Sequence, residues 1–147
     1  MFAPKKILVA TDFSEFSDRA LKDALEMAEN YKSKVVLLHV IDEHLEQCAV
    51  DYCLSAEVFT ELQAKSELTS REKLEEEVRK ISSQKNGVEF KVRTGIPYTE
   101  ILNEQQEDKA DLIVLGSHGK RGYVHNMLGG VADKVARSAT VPVLVVR

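Results

Sequence analysis

Short apolar runs alternate along this chain with longer stretches in which apolar positions recur every three or four residues. Lys6-Ile7-Leu8-Val9-Ala10, Val35-Val36-Leu37-Leu38-His39-Val40 and Leu112-Ile113-Val114-Leu115 are near-continuous, as expected of strands covered on both faces. These three belong in the middle of a sheet. Val88-Glu89-Phe90-Lys91-Val92-Arg93 alternates strictly, which leaves one face wet, and Thr140–Val146 contains Pro142, which has no N–H for a central ladder. Both belong at the edges.

Helices fill the intervals. Leu21, Ala24, Leu25 and Ala28 share one face behind a capping serine, Ser14 or Ser17, in a helix running to about Asn30. A charge-rich segment from about Ala56 to Gln84 places Leu74, Val78 and Ile81 on one face, leaves a glutamate-rich face to solvent, and stops before Asn86-Gly87. Pro97 opens a short helix through Ile101 and Leu102 to about Asp108, and a last helix starts at Gly129 or Gly130 and runs through Val131, Val135 and Ala136. Right-handed crossovers then predict an α/β, doubly wound (Rossmann-like) parallel sheet of five strands, order 3-2-1-4-5, with helices on both faces. Ligands of such sheets bind at the strands' carboxyl ends where the winding reverses, here between strands 1 and 4. Thr11-Asp12 and Gly116-Ser117-His118-Gly119 follow those strands. Residues 42–55 read as an irregular insertion over the same end.

The chain has 147 residues, 44% hydrophobic and 30% charged, the balance of one compact domain over residues 1–147. No apolar run approaches the roughly 18 to 20 residues of a membrane span. The four apolar residues after Lys5-Lys6 are also too few for a signal-peptide core, so a cytoplasmic protein is expected. Cys48 and Cys53, the two cysteines, fit a reducing interior and match no zinc spacing with His44. A net charge of −4 argues against nucleic acid as a partner. The distribution says more: between Asp111 and Asp133 there is no carboxylate, while His118, Lys120, Arg121 and His125 all fall there. A local anion site is the natural reading.

Its frame is Gly116-Ser117-His118-Gly119-Lys120-Arg121-Gly122, directly after a strand, with Gly129-Gly130-Val131 opening the next helix. Glycines let backbone N–H groups approach a ligand closely, and the helix start adds unsatisfied donors. Lys120 and Arg121 would add full charges, against the plainer possibility of an ordinary flexible loop. The pattern lacks the G-K-[ST] ending of a P-loop and is spaced G-x-x-G-x-x-G, unlike the dinucleotide fingerprint.

From Lys6 to Arg147 the chain resembles the small universal stress proteins. The resemblance rests on Ile7-Leu8-Val9-Ala10-Thr11-Asp12-Phe13-Ser14, Leu37–Asp42, Gly95-Ile96-Pro97, Asp111–Gly119 and Val141–Val146. The family's nucleotide-binding pattern, G-x2-G-x9-G followed by Ser or Thr, is met by Gly116, Gly119 and Gly129 but not by Gly130, which replaces the hydroxyl. The resemblance implies that Asp12 and the backbone at Val40 contact adenine, with Ala10 and Thr11 lining that pocket and Gly95 close by. Gly116, Gly119 and Gly129 to Val131 would surround ribose and phosphates. Asp12 has a plainer role too, as a turn acid or helix cap.

The expected ligand is ATP, or ADP or AMP, with Mg2+ assisting the phosphates, in a sensor or switch of stress adaptation. At most slow hydrolysis is expected, because the loop holds no carboxylate to serve as base. His39 reads as a hydrogen-bonded core residue, and no acid is placed to orient His118 or His125, so none is given a chemical role. The apolar last strand, 141–147, would be an open edge, which two-fold pairing into a homodimer would cover. The alternative is a dimeric interaction protein of the same fold, engaging an unknown protein partner and binding no nucleotide, which Gly130 favours. An adenylating enzyme ranks last, since Thr11-Asp12-Phe13-Ser14 carries no pyrophosphate signature.

Overall fold

The computed structural model describes residues 1–43, 55–83, 87–120 and 125–147. Five parallel strands, β1 (Lys6–Thr11), β2 (Lys34–Asp42), β3 (Val88–Gly95), β4 (Leu112–Gly116) and β5 (Val143–Val146), form one sheet in the order β3-β2-β1-β4-β5. The helices are α1 (Glu15–Tyr31), α2 (Ala56–Ile81), α3 (Pro97–Asp108) and α4 (Gly130–Ser138). The fold class and strand order are those expected, with the strictly alternating strand and the proline-preceded strand at the two edges.

The continuous apolar runs serve two cores at once, because successive side chains point to opposite faces. Ile7, Val9, Val35, Leu37, Leu112 and Val114 meet Ala20, Leu21 and Ala24 of α1 and Leu74 and Val78 of α2. Leu8, Val36, Leu38, Ile113 and Leu115 meet Ile101 of α3 and Ala132 and Val135 of α4. Burying each such aliphatic side chain is worth about 1.5 to 3 kcal/mol. Residues just past the central strands are thereby fixed against two packed layers.

Three boundaries differ from the sequence reading, and the α1 cap falls on one of its two alternatives. Ser14, not Ser17, caps α1, its hydroxyl accepting the Ser17 N–H at 3.3 Å. β2 continues to Asp42, so the insertion begins later than 42; residues 44–54, with Cys48 and Cys53, lie outside the described residues. α2 ends at Ile81 rather than Gln84, with Ser82 in extended backbone, because paired serines are poor helix formers. Thr140–Pro142 precede β5 instead of joining it: Pro142 contributes only its carbonyl, which accepts from the Ile113 N–H at 3.1 Å.

The polar face of β3 is wet at Glu89 and roofed over Lys91 and Arg93. α3 lays its acids over it: Arg93 Nη1 donates to Glu104 Oε2 at 2.7 Å and to Glu107 Oε2 at 2.9 Å, and Arg93 Nε to Glu100 Oε2 at 2.6 Å. Lys91 Nζ lies 2.9 Å from the other Glu104 oxygen. Alternation alone reports polarity, and a polar face can be roofed by complementary charge. Glu104 is 2% exposed, so its charge depends on these cations. Arg93→Ala is expected to cost about 3 kcal/mol or more, since it strands a buried carboxylate, whereas Glu107→Ala, at the exposed end, should cost less than about 1 kcal/mol. Urea unfolding of the two variants checks this; equal losses would mean that the seam is held by packing.

Candidate functional site

The carboxyl ends of β1 and β4 open into a cavity of about 1030 Å³. Ala10 and Thr11 end β1 and Asp12 follows it, Gly116 ends β4 and Ser117 to Lys120 follow it, while Val40, Tyr98 and Ile101 line the cavity beyond β1. The first turn of α4, Gly129 to Ala132, closes the far end, and α2 stands along the opposite side. The size is that of a small-molecule site.

Asp12 organises the floor. Its Oδ1 accepts the Ser14 N–H at 3.0 Å and the Ser17 hydroxyl at 3.1 Å, and its Oδ2 accepts the Lys120 N–H at 2.9 Å. Burial works against its charge, but the bonds from Ser14, Lys120 and Ser17 outweigh burial and hold the carboxyl below its ordinary range. Of the two roles open from sequence, the turn role is seen directly: Asp12 closes the turn ahead of the cap. It also reaches across to the glycine loop.

That reach explains two glycines. A Cβ on Gly119 would run into Asp12 Oδ2, and one on Gly129 would lie 3.0 Å from the Ser117 carbonyl oxygen. The Gly129 N–H donates to that carbonyl at 2.7 Å, bringing the start of α4 against the loop. Around Gly130, by contrast, a Cβ meets nothing within 4 Å. The first turn of α4, whose N–H groups have no partner within the helix, thus lines the cavity together with Lys120, an arrangement suited to an anion.

Most sequence-derived candidates meet here: Ala10, Thr11, Asp12, Val40, Gly116, Ser117, His118, Gly119, Lys120, Gly129, Gly130 and Val131 all line the cavity. Gly95 does not. It is buried at φ +151, packed on the Glu100 side chain, and its neighbours Ile96 and Pro97 reach the wall instead. Arg121 lies outside the described residues. Ser117 Oγ and His118 Nδ1 are 2.8 Å apart, and the His118 ring packs against Phe16 with centroids 5.3 Å apart. His39 also lines the cavity, its Nδ1 2.9 Å from the Thr11 carbonyl oxygen and its ring 4.5 Å from that of Phe13; burial pushes its pKa down.

A universal stress protein family model matches residues 4–147. The chain belongs to the universal stress protein family. A relative from Methanocaldococcus jannaschii is 35% identical across 97% of this chain and 94% of its own length, and YxiE of Bacillus subtilis is 34% identical across 97% and 98%. The solved structure of the archaeal protein superposes with a TM-score of 0.82 at 32% identity, covering 99% of this chain and 96% of that one. A universal stress protein from Archaeoglobus fulgidus, solved in complex with dAMP, shares the fold at a TM-score of 0.60 and 24% identity, over 99% and 100% of the two chains. Another family member, solved with cAMP, does so at 0.65 and 23%, over 99% and 98%.

The universal stress protein fold places several further residues at the site that motif reading did not single out. Phe13 adopts φ +63, a left-handed conformation costly for a bulky residue. Thr11 Oγ1 holds it by accepting the Phe13 N–H at 3.0 Å while donating to Glu77 Oε1 at 2.8 Å. Glu77, 5% exposed, thus links α2 to the turn that presents Asp12. Its Oε2 is buried without a hydrogen-bond partner among the described residues. The signal for Glu77 was its place with Leu74, Val78 and Ile81 on the buried face of an otherwise glutamate-rich helix.

Burial, with the neighbouring Asp18 and Asp12 carboxyls, pushes Glu77 up from its ordinary 4.5 to about 7, against the hydrogen bond from Thr11. Lys80 Nζ, 3.0 Å from Asp18 Oδ2, keeps Asp18 paired. The native protein therefore binds this proton more tightly than the unfolded chain does. Glu77's contribution to stability should be full below pH 4.5, fall as pH rises to about 7, and stay flat above. Glu77→Gln keeps an acceptor for Thr11 and cannot ionise. Its stability relative to the parent should rise across that interval by as much as about 3 kcal/mol, read from urea unfolding at each pH. A difference independent of pH would mean that Glu77 is charged in the folded protein.

Proposed function

We propose that this universal stress protein binds an adenine nucleotide, ATP in preference to turnover of it, and acts as a nucleotide-dependent switch in stress adaptation. The observation that carries the reading is the close fit of Gly119 to Asp12 and of Gly129 to Ser117, which leaves room for backbone only where the α4 N-terminus meets the cavity. Close backbone approach with exposed N–H groups is what a phosphate chain requires. The apolar flank of Ala10, Val40, Ile101 and Leu115 supplies a slot for a base. The dAMP and cAMP complexes of the two family members support the ligand class.

Mg2+ would arrive on the phosphates. No three metal-ligating side chains converge among the described residues, and both oxygens of Asp12 are already engaged, so the ion would keep phosphate and water ligands. The one carboxylate that reaches the loop, among the described residues, is Asp12, and its oxygens are taken by the Ser14, Ser17 and Lys120 donors, which favours binding over fast hydrolysis. Cytoplasmic location and a homodimer complete the reading. β5 is an edge strand whose four residues, Val143 to Val146, are apolar and only half-buried, and a second copy paired along it would cover them. The competing reading, a dimeric interaction protein that binds no nucleotide, draws on that same edge and on Gly130.

Titration calorimetry with ATP and Mg2+ separates the two. Binding is expected, with loss of at least tenfold in Gly119→Val, whose side chain displaces the Asp12 tie. Gly130→Ser has space for its hydroxyl, and a bond to a charged phosphate is worth about 1.5 to 3 kcal/mol, or a gain of roughly tenfold to a hundredfold. No heat with any adenine nucleotide, in the parent or in Gly130→Ser, would leave the interaction protein. Sedimentation velocity should show a dimer; a monomer at every concentration reached would remove β5 from the account.

A further inference from the structure

One wall of the cavity is unused by the nucleotide reading. α2 is 26 residues long, yet its buried residues, Ser70, Leu74, Glu77 and Val78, all lie in its carboxyl-terminal half. The middle of the helix stands beside the cavity. It presents Leu62, Lys65, Ser66, Thr69, Ser70 and Lys73, positions recurring every three or four residues and so forming one stripe.

The composition of that stripe is selective. α2 carries Glu57, Glu61, Glu67, Glu72, Glu75, Glu76 and Glu77, yet none of them lines the cavity. Its other basic residues are all paired: Arg71 with Glu67, Arg79 with Glu75 and Lys80 with Asp18. Lys65 and Lys73, the two that line the cavity, have no carboxylate partner among the described residues. Nor has Lys120. The Lys73 and Lys120 amines each lie 5.6 Å from the centre of the Phe13 ring, so one aromatic surface carries two unneutralised cations. A solvated amphipathic helix has no reason to sort its charges this way.

We propose that the α2 wall is a second anion subsite, taking a phosphoryl group additional to those held at the glycine loop. The Lys73 and Lys120 amines supply its charge, Lys65 adds to it, and the Ser66 and Thr69 hydroxyls supply neutral donors. The inference rests on the nucleotide reading above and narrows its ligand to adenine nucleotides with an extra phosphoryl group. That group can sit on the ribose, as in adenosine 3′,5′-bisphosphate, or at the end of a longer chain, as in adenosine 5′-tetraphosphate. Both offer the same chemistry to the lysines.

Calorimetric titrations of the whole chain with AMP against adenosine 3′,5′-bisphosphate, and with ATP against adenosine 5′-tetraphosphate, test it. At least a tenfold gain is expected in one pair, and the pair that shows it tells where the extra group sits. Lys65→Met combined with Lys73→Met, both exposed positions, should abolish the gain and leave AMP affinity as it was. AMP and ATP binding without a gain in either pair would overturn the subsite while leaving the nucleotide reading intact. So would a gain that survives the double variant. Absence of binding by all four nucleotides would overturn both.

Discussion

The Asp12 carboxylate ties together two loops that belong to different strands. One oxygen closes the turn between β1 and α1 through Ser14 and Ser17, and the other takes the Lys120 N–H of the loop after β4. Because β1 and β4 are neighbours in the sheet, one short acid can span both. The glycine at 119 is part of the same constraint, since the carboxylate occupies the place of its missing side chain. Acid and glycine are thus a single device. Its bonds favour the charged form, so it holds across the neutral range.

Behind that tie stands a second tier. Thr11 steadies the strained Phe13 backbone and is itself held by Glu77, so the turn is braced against α2 as well as against its own helix. A buried acid beside Asp18 and Asp12 is an unfavourable place for a charge, and the proton that relieves it makes the brace sensitive to pH. The strain at Phe13 persists because three groups over-determine it: the Thr11 hydroxyl, the Asp12 turn and the His39 ring.

The strand order, the helix layers on both faces and the two loops that frame the cavity are legible in the sequence because they rest on short-range signals: apolar runs, a proline, glycine spacing. What stayed hidden depends on partners far apart in the chain. The alternation of β3 reported a polar face but not that α3 would bring three glutamates to Arg93. Gly95 stands close to the site by resemblance; the Glu100 side chain packs over its Cα, and it is the next two residues, Ile96 and Pro97, that line the cavity. The α2 stripe was written in the sequence at helical spacing. Sequence alone gives it no role, because nothing local says which side of a polar helix looks into a cavity.

An acidic chain with an anion-seeking cavity is not a contradiction once its carboxylates are located. The α3 acids face Arg93 and Lys91, two α2 acids, Glu67 and Glu75, pair with Arg71 and Arg79, and Asp12 is engaged by backbone and hydroxyl donors. Asp12 and Asp42 are the carboxylates that line the cavity among the described residues, against Lys65, Lys73, Lys120 and Lys134, and between low-dielectric walls that excess of cations produces a concentrated field. The net charge of −4 therefore describes the outside of the molecule. The ligand is chosen by the sign of the charges that remain unpaired inside.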